Sequence, residues 1–247
     1  MLMRNSRRKL LMELREHQRK EAKGIKRANI RDFILGFQDG LVNTLGLVLG
    51  VAGAVKTANL VLISGLVTTF AESISMAAVA YTSTKAAKEY YESKKLKESL
   101  EIDEIPHMER EEIRSIYYKK GFRGKVLDKI VKRITSNRKR WLETMMREEL
   151  RLYNDDYDKP LNSALLVGSS AVVGSLIPIL PFFIFPVKLG MIVSLLFSIG
   201  MLFVVGSIKA KITAGSWKRR GLEMAVIGGL AALAGYLIGL LLGGIYA

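Results

Sequence analysis

The chain has 247 residues, of which 49% are hydrophobic and 25% are charged, and it carries a formal net charge of +15. The charged residues are concentrated in segments 1–32, 85–159 and 209–223, which excludes an evenly amphiphilic soluble domain. The absence of cysteine excludes disulfides and thiolate metal sites, so any metal must be held by oxygen, imidazole or thioether ligands.

Residues 1–32 are predicted to form a basic cytoplasmic N-terminal arm. Leu10, Leu11 and Leu14 are interspersed among its basic residues, which is typical of an amphipathic segment lying on anionic lipid headgroups. No apolar run precedes Phe33, so we expect no cleavable signal peptide. Membrane topology accounts for the excess of basic residues, and nucleic acid is not an expected partner.

Five apolar runs follow, each long enough to cross a bilayer as a helix, because about 20 residues span roughly 30 Å of hydrocarbon. Lys56 and Lys188 are the basic residues of the two short turns on one side of the membrane, and the positive-inside rule places that side outside the cytoplasm. We therefore expect a cytoplasmic N-terminus and an external C-terminus. The predicted spans are Phe33–Val55, Leu60–Tyr81, Ala164–Phe185, Leu189–Ile208 and Ala225–Tyr246.

These patterns predict an all-α integral membrane protein with five transmembrane helices. Helices 1 and 2 occupy 33–84, helices 3 to 5 occupy 161–247, and a cytoplasmic helical domain, 85–160, is inserted between the second and third helices. The alternative is a soluble enzyme with five buried helices, but such helices seldom run uninterrupted past about 14 residues.

The first two spans carry polar side chains at helical spacing. Asp39 and Asn43 are four residues apart, as are Thr68, Glu72 and Met76, so each set lies on one helix face. An ionisable residue at bilayer depth costs about 2.5–3.5 kcal/mol and persists where it faces a partner or a water-filled path. Carboxylate and thioether ligands together suit a transition metal better than Mg²⁺ or Ca²⁺. The two faces predict a cation pathway, although Met76 by itself also fits ordinary packing.

Small residues recur at four-residue spacing in the first and last spans, which lets helix backbones approach closely in lipid. This spacing fits packing within the chain and a dimer interface equally well. The positions are Gly36, Gly40, Gly46 and Gly50 in the first span, and Ala231, Gly235, Gly239 and Gly243 in the last.

The inserted domain is predicted to be helical throughout. The helix of the second span continues into it until Pro106, and the next helix stops at Gly121. The predicted helical segments are 85–105, 108–120 and 125–153, the last with a break at 136–137.

Acidic residues recur in this domain at intervals of three or four and so share helix faces. Three helices could each present one pair to a shared metal-binding centre. The alternative is a set of solvated faces, because Lys94, Lys95 and Lys97 are interleaved and could form surface ion pairs of little energy. The pairs are Glu98 with Glu101, Glu109 with Glu112, and Met145 with Glu149.

Glu104 to His107 form a Glu-x-x-His pattern, as found in di-iron helical bundles. Such a site needs two copies on unbroken helices, whereas this copy contains Pro106 and the other histidine, His17, lies in the basic arm. We therefore do not expect His107 to be a metal ligand.

Several short motifs also carry a family resemblance, together with the Gly-rich last span. In chain order they are Arg31–Leu41 (RDFILGFQDGL), Ile74–Met76 (ISM), Ile116–Gly121 (IYYKKG), Met145–Leu150 (MMREEL) and Pro178–Phe182 (PILPF). From about residue 31 to residue 247, the sequence resembles the vacuolar iron transporter (VIT/Ccc1-like) family. The resemblance implies a homodimer that moves Fe²⁺ out of the cytosol in exchange for protons, with no organic cofactor. Mn²⁺, Zn²⁺ and Co²⁺ are further candidate substrates.

The resemblance also implies site residues. Asp39 and Met76 match pathway residues, and six positions match the cytoplasmic metal-binding residues of the family: Glu98, Glu101, Glu109, Glu112, Met145 and Glu149.

This chain departs from the family pattern at two places. Relatives often carry glutamate at the position of Thr68, and Gly-Glu-Tyr in place of 79–81, which here read Val-Ala-Tyr. Glu72 lies on the same helix face as Thr68 and could replace the missing carboxylate.

The sequence thus predicts a transporter of Fe²⁺ or a similar divalent metal, not an enzyme, in a prokaryotic plasma membrane. One alternative is a membrane-anchored iron-binding or ferroxidase-like protein, and another is a membrane scaffold. Neither alternative needs Asp39 and Glu72 within the bilayer.

Overall fold

The computed structural model describes residues 27–153, 159–212 and 215–246, so most of the predicted N-terminal arm, including His17, lies outside the described residues. The described residues contain helices and no strand. The helices are α1 (Arg27–Ala54), α2 (Ala58–Glu104), α3 (Pro106–Lys119), α4 (Gly124–Thr135), α5 (Arg138–Glu148), α6 (Pro160–Ile179), α7 (Pro181–Ile184), α8 (Val187–Ile212) and α9 (Trp217–Tyr246).

The chain divides into two compact units. Among the described residues, the apolar unit comprises those from 27 to 81 and from 161 to 246, and the polar unit comprises those from 82 to 160. Among the described residues, five helices are long and apolar enough to cross a membrane, namely α1, α2, α6, α8 and α9. The prediction of an all-helical chain with five candidate spans is therefore confirmed.

Helix α2 belongs to both units because it continues far beyond its apolar part. Its 47 residues extend roughly 70 Å at 1.5 Å per residue, about twice the thickness of a hydrocarbon core. The helix ends at Glu104, directly before Ile105 and Pro106. As predicted, proline ends it, since a proline in a helix interior would remove a backbone hydrogen bond.

In the apolar unit, α1 packs closely against α6 through glycines. A Cβ added to Gly36 would lie 2.2 Å from the carbonyl oxygen of Val167, and one added to Gly40 would lie 2.3 Å from that of Ala171. Only glycine permits backbones to meet at this distance.

Helix α1 also packs closely against α9. A Cβ added to Gly235 would lie 2.0 Å from the carbonyl oxygen of Gly46, and one added to Gly239 would lie 1.9 Å from that of Gly50. Gly46 and Gly50 of the first stripe therefore pack against the stripe of α9 within one chain, while Gly36 and Gly40 pack against α6.

The third predicted span, Ala164–Phe185, has the wrong bounds. Helix α6 begins four residues earlier, at Pro160, and ends at Ile179, and the short α7 follows. Pro181 explains the break, because it cannot donate a backbone hydrogen bond, whereas Pro178 lies inside the last turn of α6. Ser194 on α8 donates a 2.7 Å hydrogen bond to the carbonyl oxygen of Pro178 and so ties α8 to this break.

The polar unit has its own hydrophobic core. Apolar residues of α4 recur at Leu127, Val131 and Ile134, which is the spacing of one helix face. The break predicted at 136–137 separates α4 from α5, and the side chain of Asn137 caps α5 by accepting a 3.0 Å hydrogen bond from the backbone of Arg140. The core comprises Ile102, Ile113, Leu127, Val131, Ile134, Trp141 and Met145.

Candidate functional site

Helices α1 and α2 bring together three of the polar residues predicted to lie within the bilayer. The amide Nδ2 of Asn43 donates a 2.5 Å hydrogen bond to Oε1 of Glu72, and the carboxyl of Asp39 interacts with that of Glu72. Oε2 of Glu72 is buried and has no hydrogen-bond partner among the described residues. The predicted polar faces of the two helices therefore form one group, with two carboxyls and an amide.

Thr68 and Met76 lie one helical turn to either side of Glu72 on unbroken α2, and both are partly buried. The neighbouring hydroxyls of α2 donate hydrogen bonds to backbone carbonyls of the same helix. Thr69 donates to the carbonyl oxygen of Gly65 at 2.9 Å, and Ser73 donates to that of Thr69 at 2.6 Å. Glu72, in contrast, is held by a residue of α1.

The polar unit contains a pocket of about 290 Å³ that is lined by all five glutamates of the predicted metal-binding set. The last turns of α2 supply Glu98 and Glu101, α3 supplies Glu109 and Glu112, and Glu149 directly follows α5. The break at Pro106 allows Glu109 to reach and hydrogen-bond Glu98. The alternative of separate solvated faces does not describe Glu98 and Glu109, which are only 5% and 3% exposed, whereas Glu112 and Glu149 are exposed.

The protonation of these glutamates is shifted by their surroundings. Burial raises the pKa of Glu98 to about 8, and its hydrogen bond to Glu109 and the charge of Glu149 act in the same direction. Burial raises the pKa of Glu149 to about 7, with a further contribution from the charge of Glu112. Near neutral pH, Glu98 therefore holds a proton that it donates to Glu109.

Two lysines also line the pocket, although the sequence indicated only surface ion pairs for them. The ammonium of Lys97 lies 3.1 Å from Oε1 of Glu101. Hydrogen bonding to Glu101 raises the pKa of Lys97, and the charges of Glu98 and Glu149 contribute as well. The ammonium of Lys94 lies 5.6 Å from the centre of the Tyr90 ring. The four-residue spacing of Lys97 and Glu101 was the available sequence signal for their pairing.

Met145 is placed differently from the glutamates with which it was predicted. Its side chain is fully buried in the hydrophobic core beside Trp141, and it is absent from the residues that line the pocket. It lies one helical turn before Glu149. His107, which was not expected to bind metal, also lies outside the pocket lining.

The pocket supplies oxygen ligands but does not hold them in a closed arrangement. Across the described ranges, no group of three or more His, Asp or Glu residues is already placed to hold a metal ion. Oε1 of Glu98 and Oε2 of Glu109 are buried without hydrogen-bond partners within those ranges. A divalent cation would therefore have to displace the proton shared by Glu98 and Glu109 and draw the carboxylates together.

Comparison with known proteins gives a consistent family assignment. The VIT family model matches residues 30–240. Vacuolar iron transporter 1 of Tulipa gesneriana is 33% identical over 84% of both chains, and that of Arabidopsis thaliana is 31% identical over 84% of this chain and 83% of its own. Protein CCC1 of Saccharomyces cerevisiae is 28% identical over 87% of this chain and 69% of its own. The two plant relatives are named as transporters rather than enzymes, and this chain is a multi-pass membrane protein that belongs to the VIT family.

Proposed function

We propose that this protein transports Fe²⁺ out of the cytosol across a membrane, in exchange for protons. The observation that carries the proposal is the group formed by Asp39, Asn43 and Glu72 on two membrane-spanning helices. Carboxyls at this depth are costly unless they serve a partner or an aqueous path. The names of the relatives support iron as the substrate, and Mn²⁺, Zn²⁺ and Co²⁺ are further candidates because they accept similar ligands.

In this proposal, the pocket of the polar unit faces the cytosol and collects the cation. Its five glutamates supply oxygen ligands, which suit divalent ions. A ligand role for Met145 would require its thioether to turn out of the core, and its position one turn before Glu149 is the feature that favours such a role.

Proton exchange follows from competition at the carboxylates. A carboxylate that binds a metal must be deprotonated, so binding releases protons and protonation releases the metal. Asp39 and Glu72 would bind the cation from the cytosolic side and release it when protons enter from the far side. Met76 and Thr68, on the same face of α2 as Glu72, would line the path.

A membrane-anchored iron-binding or ferroxidase-like protein is not favoured. Such a protein would not need Asp39 and Glu72 to meet between two membrane helices. The relatives are named as transporters.

The orientation, the dimer and the membrane belong to the same proposal. The excess of basic residues in 85–159 supports a cytosolic polar unit and N-terminus and an external C-terminus. A homodimer would use a surface other than the stripe of α9, because that stripe is already packed against α1. The sequence favours a prokaryotic plasma membrane, whereas the names of the relatives refer to the vacuole.

Flux measurements in proteoliposomes test the proposal. Purified protein is reconstituted, and uptake of Fe²⁺, Mn²⁺ and Zn²⁺ is followed with a metal-sensitive dye while a pH-sensitive dye follows protons. Metal flux that depends on the protein, is driven by a pH gradient and moves protons in the opposite direction is expected. Flux equal to that of empty liposomes for all three metals would reject transport, and flux without proton movement would reject exchange.

A further inference from the structure

The glutamate pocket contains its own cation. Lys97 lines the pocket together with the five glutamates, and its ammonium lies 3.1 Å from Oε1 of Glu101. The side chain of Lys97 is 67% exposed, whereas that of Glu101 is 32% exposed, so the pair lies at the rim of the pocket.

The two neighbouring lysines on α2, Lys94 and Lys95, do not pair with a glutamate of the pocket. Lys94 also lines the pocket, but its ammonium lies over the ring of Tyr90. Lys95 is exposed and is not among the residues that line the pocket. Lys97 is thus the lysine of this segment that is paired with a pocket carboxylate.

We propose that Lys97 acts as an internal competitor of the transported metal, because its ammonium occupies Glu101 and must leave before Glu101 can bind a divalent cation. This inference rests on the proposed metal-binding role of the pocket. The ammonium of Lys97, paired with Glu101, partly neutralises the pocket without a metal. Binding of a divalent cation to Glu101 must break the ion pair between Glu101 and Lys97, and the cation is also repelled by the nearby ammonium.

Such competition weakens binding, and weak binding suits a site that must pass its ion on. A carboxylate that is already paired offers less net attraction to a second cation. Since Lys97 is largely exposed, its ammonium can move into water at little cost. In this proposal, Glu101 is a ligand of the metal, and Lys97 sets the affinity of the pocket for that metal.

The test is a Mn²⁺ titration of the purified full-length protein in detergent at fixed pH, with free Mn²⁺ measured by its electron paramagnetic resonance signal. Four proteins are compared: wild type, Lys97→Gln, Lys97→Arg and the control Lys95→Gln. The control removes the same charge from the same helix. We expect Lys97→Gln to bind Mn²⁺ about threefold to tenfold more tightly, and the other two variants to bind as wild type does.

A double-variant comparison identifies the partner. In a Glu101→Gln background the Lys97→Gln change should no longer tighten binding, because the carboxylate for which Lys97 competes is gone. Equal affinities of Lys97→Gln and Lys95→Gln, weaker binding by Lys97→Gln, or undiminished tightening in the Glu101→Gln background would each overturn the proposal. Two other results would instead reject the metal-binding role of the pocket itself. One is that the wild-type protein shows no saturable Mn²⁺ binding, and the other is that Glu98→Gln leaves its binding unchanged.

Discussion

The amide of Asn43 donates a hydrogen bond to one oxygen of Glu72 and leaves the other oxygen of that carboxyl buried without a partner among the described residues. Asn43 thereby fixes the orientation of Glu72 across the α1–α2 contact. One oxygen of Glu72 is held by Asn43 and the carboxyl of Asp39 is adjacent, so in the proposed pathway the other oxygen would meet the cation.

Glu72→Gln should lower metal flux roughly tenfold or more, because an amide is a much weaker ligand for a divalent cation than a carboxylate. Folding should be retained, since the carbonyl oxygen of glutamine can still accept from Asn43. Proteoliposome flux measures the effect. Ser73→Ala is the matched control, because this hydroxyl bonds only within α2 and flux should stay near the wild-type level. Undiminished flux through Glu72→Gln would remove Glu72 from the mechanism.

Asp39→Asn should abolish flux while the protein still elutes as a single species in size-exclusion chromatography. The substitution preserves shape and removes the negative charge beside Glu72. Asp32→Asn provides the comparison on the same helix, because Asp32 accepts from Ser163 and asparagine can do the same. Transport should survive Asp32→Asn, and metal uptake by Asp39→Asn would contradict the proposed pathway.

The metal-free polar unit should become less stable as the pH rises from about 4.5 to 8. The pKa values of Glu98 and Glu149 are raised to about 8 and about 7 in the folded protein, above the ordinary value of 4.5. In this window the folded state binds more protons than the unfolded state, so the free energy of unfolding falls as protons leave.

Tryptophan fluorescence can follow this effect in the polar unit. The chain has two tryptophans, so a Trp217→Phe protein reports through Trp141 in the core of the polar unit. The thermal midpoint should be higher at pH 5.5 than at pH 8.5, and Glu98→Gln should reduce the difference. Saturating Mn²⁺ should raise the midpoint at pH 8.5. A thermal midpoint that rises with pH in the metal-free protein would show that the predicted direction of the pH dependence is wrong.

Gly239→Ala should destabilise the apolar unit by about 1–3 kcal/mol or more, because the new Cβ would meet the backbone of Gly50. The added atom would lie 1.9 Å from the Gly50 carbonyl oxygen. Gly229→Ala on the same helix is the control, since the nearest heavy atom lies at 4.0 Å. Thermal unfolding in detergent should separate the two variants by several degrees, and equal midpoints would argue against this packing.

Substitutions of Met145 separate packing from metal binding. Met145→Leu preserves the hydrophobic volume and should leave the stability of the polar unit within about 1.5 kcal/mol, whereas Met145→Ala should cost roughly 2–5 kcal/mol through a cavity. If the thioether is a ligand, Met145→Leu should weaken Mn²⁺ or Fe²⁺ binding while the protein stays folded. Unchanged affinity would assign Met145 to the core alone.

Sequence patterns predicted the helices that have strong local signals. Pro106 and Gly121 mark helix ends because one lacks a backbone donor and the other adopts φ +98°, a conformation that favours glycine. The C-terminal bound of the third span was wrong because hydropathy continues through Pro181, while the helix ends at Ile179. Hydropathy reports the environment of a segment, not the continuity of its hydrogen bonds.

The candidate sites were predictable as faces but not as contacts. Spacing placed Glu98 and Glu101 on one face and Glu109 and Glu112 on another, but left open whether the two faces meet in one pocket, as they do in the structure. Spacing also grouped Met145 with Glu149, although one lies in the core and the other at the pocket. Which neighbour a helix face meets depends on tertiary packing, which a single sequence does not encode locally.

The pairing of α1 with α9 has a consequence for biogenesis. Among the five candidate spans, α1 leaves the ribosome well before its close partner α9, so Gly46 and Gly50 face lipid or a temporary neighbour until Gly235 and Gly239 have been inserted. A nascent chain that stalls before α9 leaves this groove open, where the α9 of another copy could dock.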